Sequence, residues 1–225
     1  MREKTQASNP NTEGFTAEYY STLLAGLIHK LNNILTVLSG HSGLLLLEPN
    51  LRGDILQAIQ QMSRAAEMLS RYVDEAAIMA RALPLRRESV GLSELFDSLE
   101  FPAGLSTRKQ INGRLKVLAD RRKLKEIFEQ ILRNASEANA STTVVTADTH
   151  AEFVEISFRD DGQAIAPSVI SRVFDPFFTT RNPEENFGLG LFRARGDLTR
   201  MKGQISAESD GKTYTEILVR LLAVN

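Results

Sequence analysis

YSTLLAGLIHKLNNILTVLSGHSGLL, Tyr20 to Leu45, is the stretch on which the reading of the chain turns. Apolar or bulky residues recur in it at Tyr20, Leu24, Leu27, Leu31, Ile34, Leu38, His41 and Leu45, in alternating steps of four and three. That spacing is the a/d seam of a bundle helix. With Leu27 at d and Leu31 at the following a, His29 falls at f, on the face that points to water. Asn33 is its i+4 neighbour on the same side. An exposed imidazole on a rigid helix is a candidate for chemistry, whereas His41, on the seam, reads as a core or interface residue.

The helix is predicted to run from Thr16 to Glu48. Pro49-Asn50 and Gly53 mark a turn, and Asp54 can cap a second helix. There the pattern repeats at Ile55, Ile59, Met62, Ala66, Leu69, Val73, Ala76 and Ala80. Two long helices joined by a short loop form an antiparallel hairpin. One hairpin leaves Ile28, Leu35 and the patch Leu44 to Leu47 without cover. Pairing two chains into a four-helix bundle solves this, so the expected state is a homodimer. Residues 1–14, polar and containing Pro10 and Gly14, read as a flexible tail, 15–83 as the dimerising hairpin, and 84–90, opened by Pro84, as a linker.

From residue 91 the periodicity changes. Leu92 to Leu99 suggests a short helix and Leu115 to Leu118 a strand. Arg121 to Ala138 reads as an amphipathic helix with Leu124, Ile127, Phe128, Ile131, Leu132 and Ala135 on one side. Val144-Val145 and the alternating run Phe153 to Phe158 read as an antiparallel pair, with Val154, Ile156 and Phe158 facing the core. A helix over 189–201 and strands over 204–209 and 214–221 complete the pattern. Helices and antiparallel strands segregated in this way predict an α/β sandwich over 91–225. The whole chain is then an α+β multidomain protein.

Composition narrows the function classes. With 225 residues and 42% hydrophobic content the chain can bury a core. Its 27 basic and 28 acidic residues leave no electrostatic footprint for nucleic acid or an anionic membrane. The absence of cysteine removes disulfides and thiol chemistry, and three scattered histidines do not make a zinc site. The longest aliphatic run, Leu44 to Leu47, is far short of a membrane span of roughly 20 residues. The opening MREKTQASNPNTEG has no signal-peptide apolar region, so the expected location is cytoplasmic.

Four elements in order carry the chemistry. Asn134 sits among Ile127, Ile131 and Ala138 on the sheet-facing side of its helix, where an unpaired amide costs about 1–3 kcal/mol. It either bonds a nearby carbonyl or ligates a hard cation such as Mg²⁺. Asp160-Asp161-Gly162 follows a strand, as an ordinary turn would. Phe174-Asp175-Pro176-Phe177-Phe178-Thr179-Thr180-Arg181 sets aromatics beside two hydroxyls and a cation. Asn186-Phe187-Gly188-Leu189-Gly190-Leu191 then leads into a helix, whose start, with glycines, lets backbone N–H groups approach a phosphate.

This order resembles the two-component sensor histidine kinases, whose catalytic domain is of the gyrase, Hsp90 and MutL type, and the resemblance covers about Thr16 to Leu222. His29 with Leu31-Asn32-Asn33 is similar to the H box and Gln130 to Ala135 to the N box. Asp160 to Gly162 is similar to the G1 box, Phe174 to Phe178 to the F box, and Gly188 to Leu191 to the G2 box. The resemblance implies that the hairpin is a histidine phosphotransfer domain, that ATP and Mg²⁺ are bound, and that Asn134 holds the metal. It also implies that Asp160 accepts from the adenine amino group and that Gly188, Leu189 and Gly190 lie along the triphosphate. Residues 179–187 would form a lid, with Arg181 a γ-phosphate contact after Thr180. His29 would take the phosphoryl group and pass it to a response-regulator aspartate, and Asn33 would orient water for the reverse step, dephosphorylation of that regulator.

Four departures stand out. Lys30 occupies a position where the family commonly has an acid that takes the imidazole proton, and a protonated lysine cannot do so. Its charge could instead attract the incoming phosphate. Ala164 and Asn186 replace glycines, and Gln130 replaces an Asn or an acid while remaining able to orient water. The alternatives are therefore a phosphotransfer or phosphatase protein whose ATP site has degenerated, and a dimeric scaffold.

Overall fold

The computed structural model describes residues 17–48, 52–80, 84–181, 186 and 188–224, with the side chains of 17–23, 25, 75 and 78–80 outside it. The expected tail over 1–14 and the Pro49-Asn50 turn lie outside the described residues. The chain divides into two compact units, Met1–Ala82 and Leu83–Asn225.

The first unit is a pair of helices, α1 (Ala17–Leu46) and α2 (Gly53–Ala80). They pack through Ile28, Leu35, Ala66 and Val73, with Leu38, Ala76 and Ala77 alongside. This corrects the expected seam. Ile28 and Leu35, predicted to lack cover, are buried against α2, whereas Leu27, Leu31, Ile34 and Leu45 are exposed, as are Ile55, Met62 and Leu69 of α2. His41 is exposed as well. The four-three spacing marks an apolar face wider than one helix can cover, and α2 covers the strip one position on from Leu27 and Ile34.

The second unit is a two-layer sandwich. Its five-stranded sheet has the order β2-β4-β5-β7-β6, formed by Ser106–Ile111, Thr142–His150, Phe153–Asp160, Thr215–Leu222 and Gln204–Ser209. Only the β2–β4 pair of this sheet is parallel. Register aligns Val145 with Phe158 and Phe158 with Ile217, so alternate residues form one continuous buried face. Against it lie α3 (Leu92–Asp97), α4 (Arg121–Glu137) and α5 (Gly190–Arg200), contributing Leu95, Phe96, Leu124, Phe128, Leu132 and Leu198 to one core. Phe128 stands 5.0 Å from both Phe96 and Phe158, tying α3, α4 and β5 together.

Two strands were not anticipated. Glu88–Gly91 (β1), mostly inside the expected linker, pairs antiparallel with Lys116–Ala119 (β3), and buried Val90 fixes it. β2, reading STRKQI, has no apolar alternation and lies at the sheet edge. The α4 helix begins where Asp120 accepts from the Lys123 N–H at 3.1 Å. Asp120 also accepts from the Arg86 N–H at 2.9 Å, joining the segment before β1 to the helix start. Burial alone would raise the Asp120 carboxyl, but the N–H groups of Lys123 and Arg86 and the charge of Arg122 outweigh it and hold it below its ordinary value.

Candidate nucleotide site

In the first unit His29, Lys30 and Asn33 are all exposed on α1. The f-position assignment therefore gives the accessibility expected of a group that meets another molecule.

In the second unit the remaining candidates converge on the C-terminal half of α4. Asp160, the last residue of β5, is buried, and its Oδ1 accepts from the Gly162 N–H at 3.0 Å. Burial raises its carboxyl above the ordinary value, the Gly162 N–H opposes this, and the Asp161 charge adds to it. Asp161 serves the sheet instead, where its Oδ1 accepts from the N–H groups of Ser141 and Thr142 and fixes the start of β4. A Cβ on Gly162 would come within 2.9 Å of the Ala138 carbonyl oxygen, so this turn closes directly onto the end of α4. Asp160 and Gly162 thus form a floor against α4.

The next candidate along the chain is the Phe174–Phe178 turn. Phe174 is buried, and the Arg172 guanidinium lies 4.5 Å from the Phe178 ring centroid. Gly188 has φ +64°, and a Cβ there would meet the Phe178 carbonyl oxygen at 2.3 Å. Only glycine fits both the dihedral and the approach. Leu189 is buried and Gly190 opens α5, where a Cβ would be 2.7 Å from the Gln130 Nε2. The two glycines thereby bring the start of α5 against both the aromatic turn and α4.

On α4 itself, the half-buried Asn134 carboxamide oxygen accepts from Gln130 Nε2 at 2.9 Å, and Gln130 Oε1 accepts from Arg133 Nη2 at 3.1 Å. Arg181 donates through Nη2 to the Asn134 backbone carbonyl at 2.8 Å and pairs through Nη1 with Glu137. Thr179 Oγ1 accepts from the Arg181 N–H at 3.1 Å, and Thr180 is exposed. Glu137 and Arg133 were not singled out from sequence. The signal for Glu137 was present: an acid three residues past Asn134 on the same helix, opposite in charge to Arg181. Of the expected lid over 179–187, residues 182–185 and Phe187 lie outside the described residues. Ala164 and Asn186 are both half-buried.

Asn134 would supply an oxygen donor of the kind that fits a hard cation such as Mg²⁺ beside a nucleotide. Among the described residues no cluster of three or more His, Cys, Asp or Glu could hold a metal ion, whereas Asn134 offers one carbonyl oxygen beside a glycine-opened helix. A separate groove of about 450 Å³, lined by Arg86, Asp120, Arg121 and Lys125 among others, lies at the opposite end of α4. Thirteen residues of helix, roughly 20 Å, separate Arg121 from Asn134.

Residues 119–224 match the Histidine kinase-, DNA gyrase B-, and HSP90-like ATPase family. The chain is 28% identical over 206 residues to the sensor histidine kinase ZraS of Escherichia coli (strain K12), an alignment covering 86% of this chain and 44% of that protein. It is also 28% identical over 206 residues to sporulation kinase A of Bacillus subtilis (strain 168), covering 83% and 32%. The chain thus spans less than half the length of these relatives. In fold it is similar to full-length ShkA, solved in complex with AMPPNP, with a TM-score of 0.63 at 20% identity over 91% of this chain and 46% of that one. The catalytic domain of histidine kinase ThkA aligns with 61% of this chain and 96% of its own at a TM-score of 0.52 and 21% identity. Among the described residues no helix is long and apolar enough to cross a membrane. Residues 119–224 form a domain of the histidine kinase-, DNA gyrase B- and HSP90-like ATPase family, in a chain homologous to sensor histidine kinases.

Proposed function

We propose that this chain is the kinase core of a two-component sensor: a homodimer that phosphorylates itself on His29 from ATP and passes the phosphoryl group to a response-regulator aspartate. The observation that carries the reading is that similarity to ZraS runs through both units, so an exposed histidine helix and an ATPase-family domain occur together. In this reading Asp160 accepts from the adenine amino group, and its burial makes that contact strong. Gly188, Leu189 and Gly190 bring N–H groups and the helix dipole to the phosphates. Asn134 would hold Mg²⁺, which would supply charge neutralisation at the phosphate oxygens.

The His29 ring nitrogen attacks the γ-phosphorus. A nitrogen–phosphorus bond forms, the bond to the β,γ-bridging oxygen breaks, and ADP leaves with the electron pair. The ring proton goes to water. An aspartate oxygen of the regulator then attacks the same phosphorus, the N–P bond breaks with its electron pair going to the ring nitrogen, and His29 regains a proton from water. Asn33, exposed one turn further along the helix, suits the orienting of water in the reverse, hydrolytic step. The strip formed by Leu27, Leu31, Ile34, Ile55, Met62 and Leu69, exposed on one hairpin, supports dimerisation.

Incubation with γ-labelled ATP and Mg²⁺ tests this. Acid-labile label is expected on the wild type and none on His29→Gln; label that survives the substitution would sink the assignment. One observation favours a second reading, a relay that does not use ATP: Lys30 stands where an acid would take the imidazole proton. Calorimetry with ATP and Mg²⁺ separates the two, since the relay gives no heat while the kinase gives heat that Asn134→Ala diminishes.

A further inference from the structure

Gln130, Arg133 and Asn134 form a directional chain of hydrogen bonds on the α4 face that meets Gly190. The orientation of a glutamine amide is ordinarily ambiguous, because its O and N are alike in shape. Here the neighbour resolves it. A guanidinium has donors and no acceptor, so the Gln130 atom 3.1 Å from Arg133 Nη2 must be the carbonyl oxygen. The NH₂ group is thereby turned toward the Asn134 carboxamide oxygen, 2.9 Å away. Gly190 lies against the amide, where even a Cβ would come within 2.7 Å of Nε2 and 2.8 Å of Cδ, so the group is held in place and only the sense of its O and N is left for Arg133 to set.

The consequence falls on the oxygen assigned to Mg²⁺. A carbonyl oxygen has two lone pairs, so one donated hydrogen does not bar a cation. It does occupy one lone pair, and it sets the positive end of an N–H dipole, with a guanidinium charge behind it, beside the metal position. We propose that Gln130, held in this orientation by Arg133, weakens the coupling between Mg²⁺ and nucleotide binding at Asn134, with Arg133 acting as a positioning residue. The inference rests on the nucleotide reading above. If Arg133 is removed, the Gln130 amide is free to turn, its NH₂ leaves the Asn134 oxygen, and its own oxygen can face the cation.

The measurable quantity is the ratio of ATP affinity at saturating Mg²⁺ to that in EDTA, obtained by calorimetry on the whole chain. Arg133→Ala is expected to increase this ratio about threefold to tenfold, the equivalent of one net hydrogen bond. Arg133→Lys, which still donates to Oε1, is expected to retain the wild-type ratio. In a Gln130→Ala background Arg133→Ala should change nothing, since Arg133 acts through Gln130. A merely structural role for Arg133 predicts equal effects in both backgrounds. An unchanged ratio in Arg133→Ala, or the same change in both backgrounds, overturns the inference alone. Absence of ATP binding by the wild type, with or without Mg²⁺, overturns the nucleotide reading and the inference with it.

Discussion

Gly188→Ala is the substitution that most directly tests whether the aromatic turn and the start of α5 must meet for nucleotide to bind. Two costs add. At φ +64° an alanine is held in the left-handed region, at about 1–2 kcal/mol. Its methyl would also lie 2.3 Å from the Phe178 oxygen and 2.6 Å from the Phe178 carbonyl carbon, where real contacts stay beyond 3.0 Å. The two backbones must therefore part by at least 3.0 − 2.3 = 0.7 Å, and overpacking of this kind costs about 1–3 kcal/mol. The turn is remote in sequence from the Phe96–Phe128–Phe158 core, so it opens locally and the unit stays folded. Binding must then reclose it, which at about 2–5 kcal/mol lowers ATP affinity roughly 30-fold to a few thousandfold. Gly196→Ala is the control. Nothing lies within 4 Å of its Cβ position on α5, so it should stabilise the helix by about 0.5–1 kcal/mol and leave affinity unchanged. Calorimetric titration together with urea unfolding reads both. A folded Gly188→Ala protein that binds ATP within threefold of wild type would refute the need for this apposition.

Other expectations follow from the same geometry. Because burial raises the Asp160 carboxyl above 3.8, the folded state binds more protons than the unfolded state between 3.8 and the raised value. Stability falls as pH rises through that window, and at neutral pH the charge is a standing cost. Asp160→Asn should therefore raise the thermal midpoint of the nucleotide-free protein at pH 7, with the gap closing on acidification toward pH 3.8, while ATP binding is lost; a lowered midpoint would contradict the burial argument. Asp120 runs the other way. Its carboxyl lies below 3.8, so its contribution is complete above that pH and is lost as pH falls through the folded-state value. Asp120→Ala removes the α4 cap and the acceptor of the Arg86 N–H, and should cost about 2–3 kcal/mol in urea unfolding at pH 7. Phe128→Ala, fully buried between two rings, should cost about 3–5 kcal/mol, enough to leave the second unit largely unfolded in mild urea.

What was legible in the sequence tracks what was periodic. The buried face of α4 and the alternation of Val154, Ile156 and Phe158 lie where periodicity puts them, because each element buries one face against one layer. β2 escaped because an edge strand with a solvated face needs no apolar alternation; its parallel register with β4 makes up for STRKQI. β1 escaped because Pro84 and the charges around it read as a linker, while one side chain, Val90, suffices to anchor the strand. In the site, the glycines and Asp160 were visible as motifs. The Arg133–Gln130–Asn134 chain was not, since spacing places side chains on a face without saying which donor meets which acceptor.

The hairpin shows the same limit and what lies beyond it. Spacing identified an apolar face on α1, but the face divides between two claims. Ile28 and Leu35 go to α2, leaving Leu27 half-exposed and Ile34 63% exposed. At 100° per residue, His29 is about 160° around the helix from Leu27 and Leu31 and about 140° from Ile34. It is about 100° from Ile28 and 120° from Leu35. Covering the exposed strip with a second copy, as proposed, would therefore leave the imidazole open to water, because the strip and the histidine occupy opposite sides of α1. The correction to the seam thus strengthens the chemical reading: one strip holds the hairpin, a second is free for a partner copy, and the third side carries His29 and Asn33.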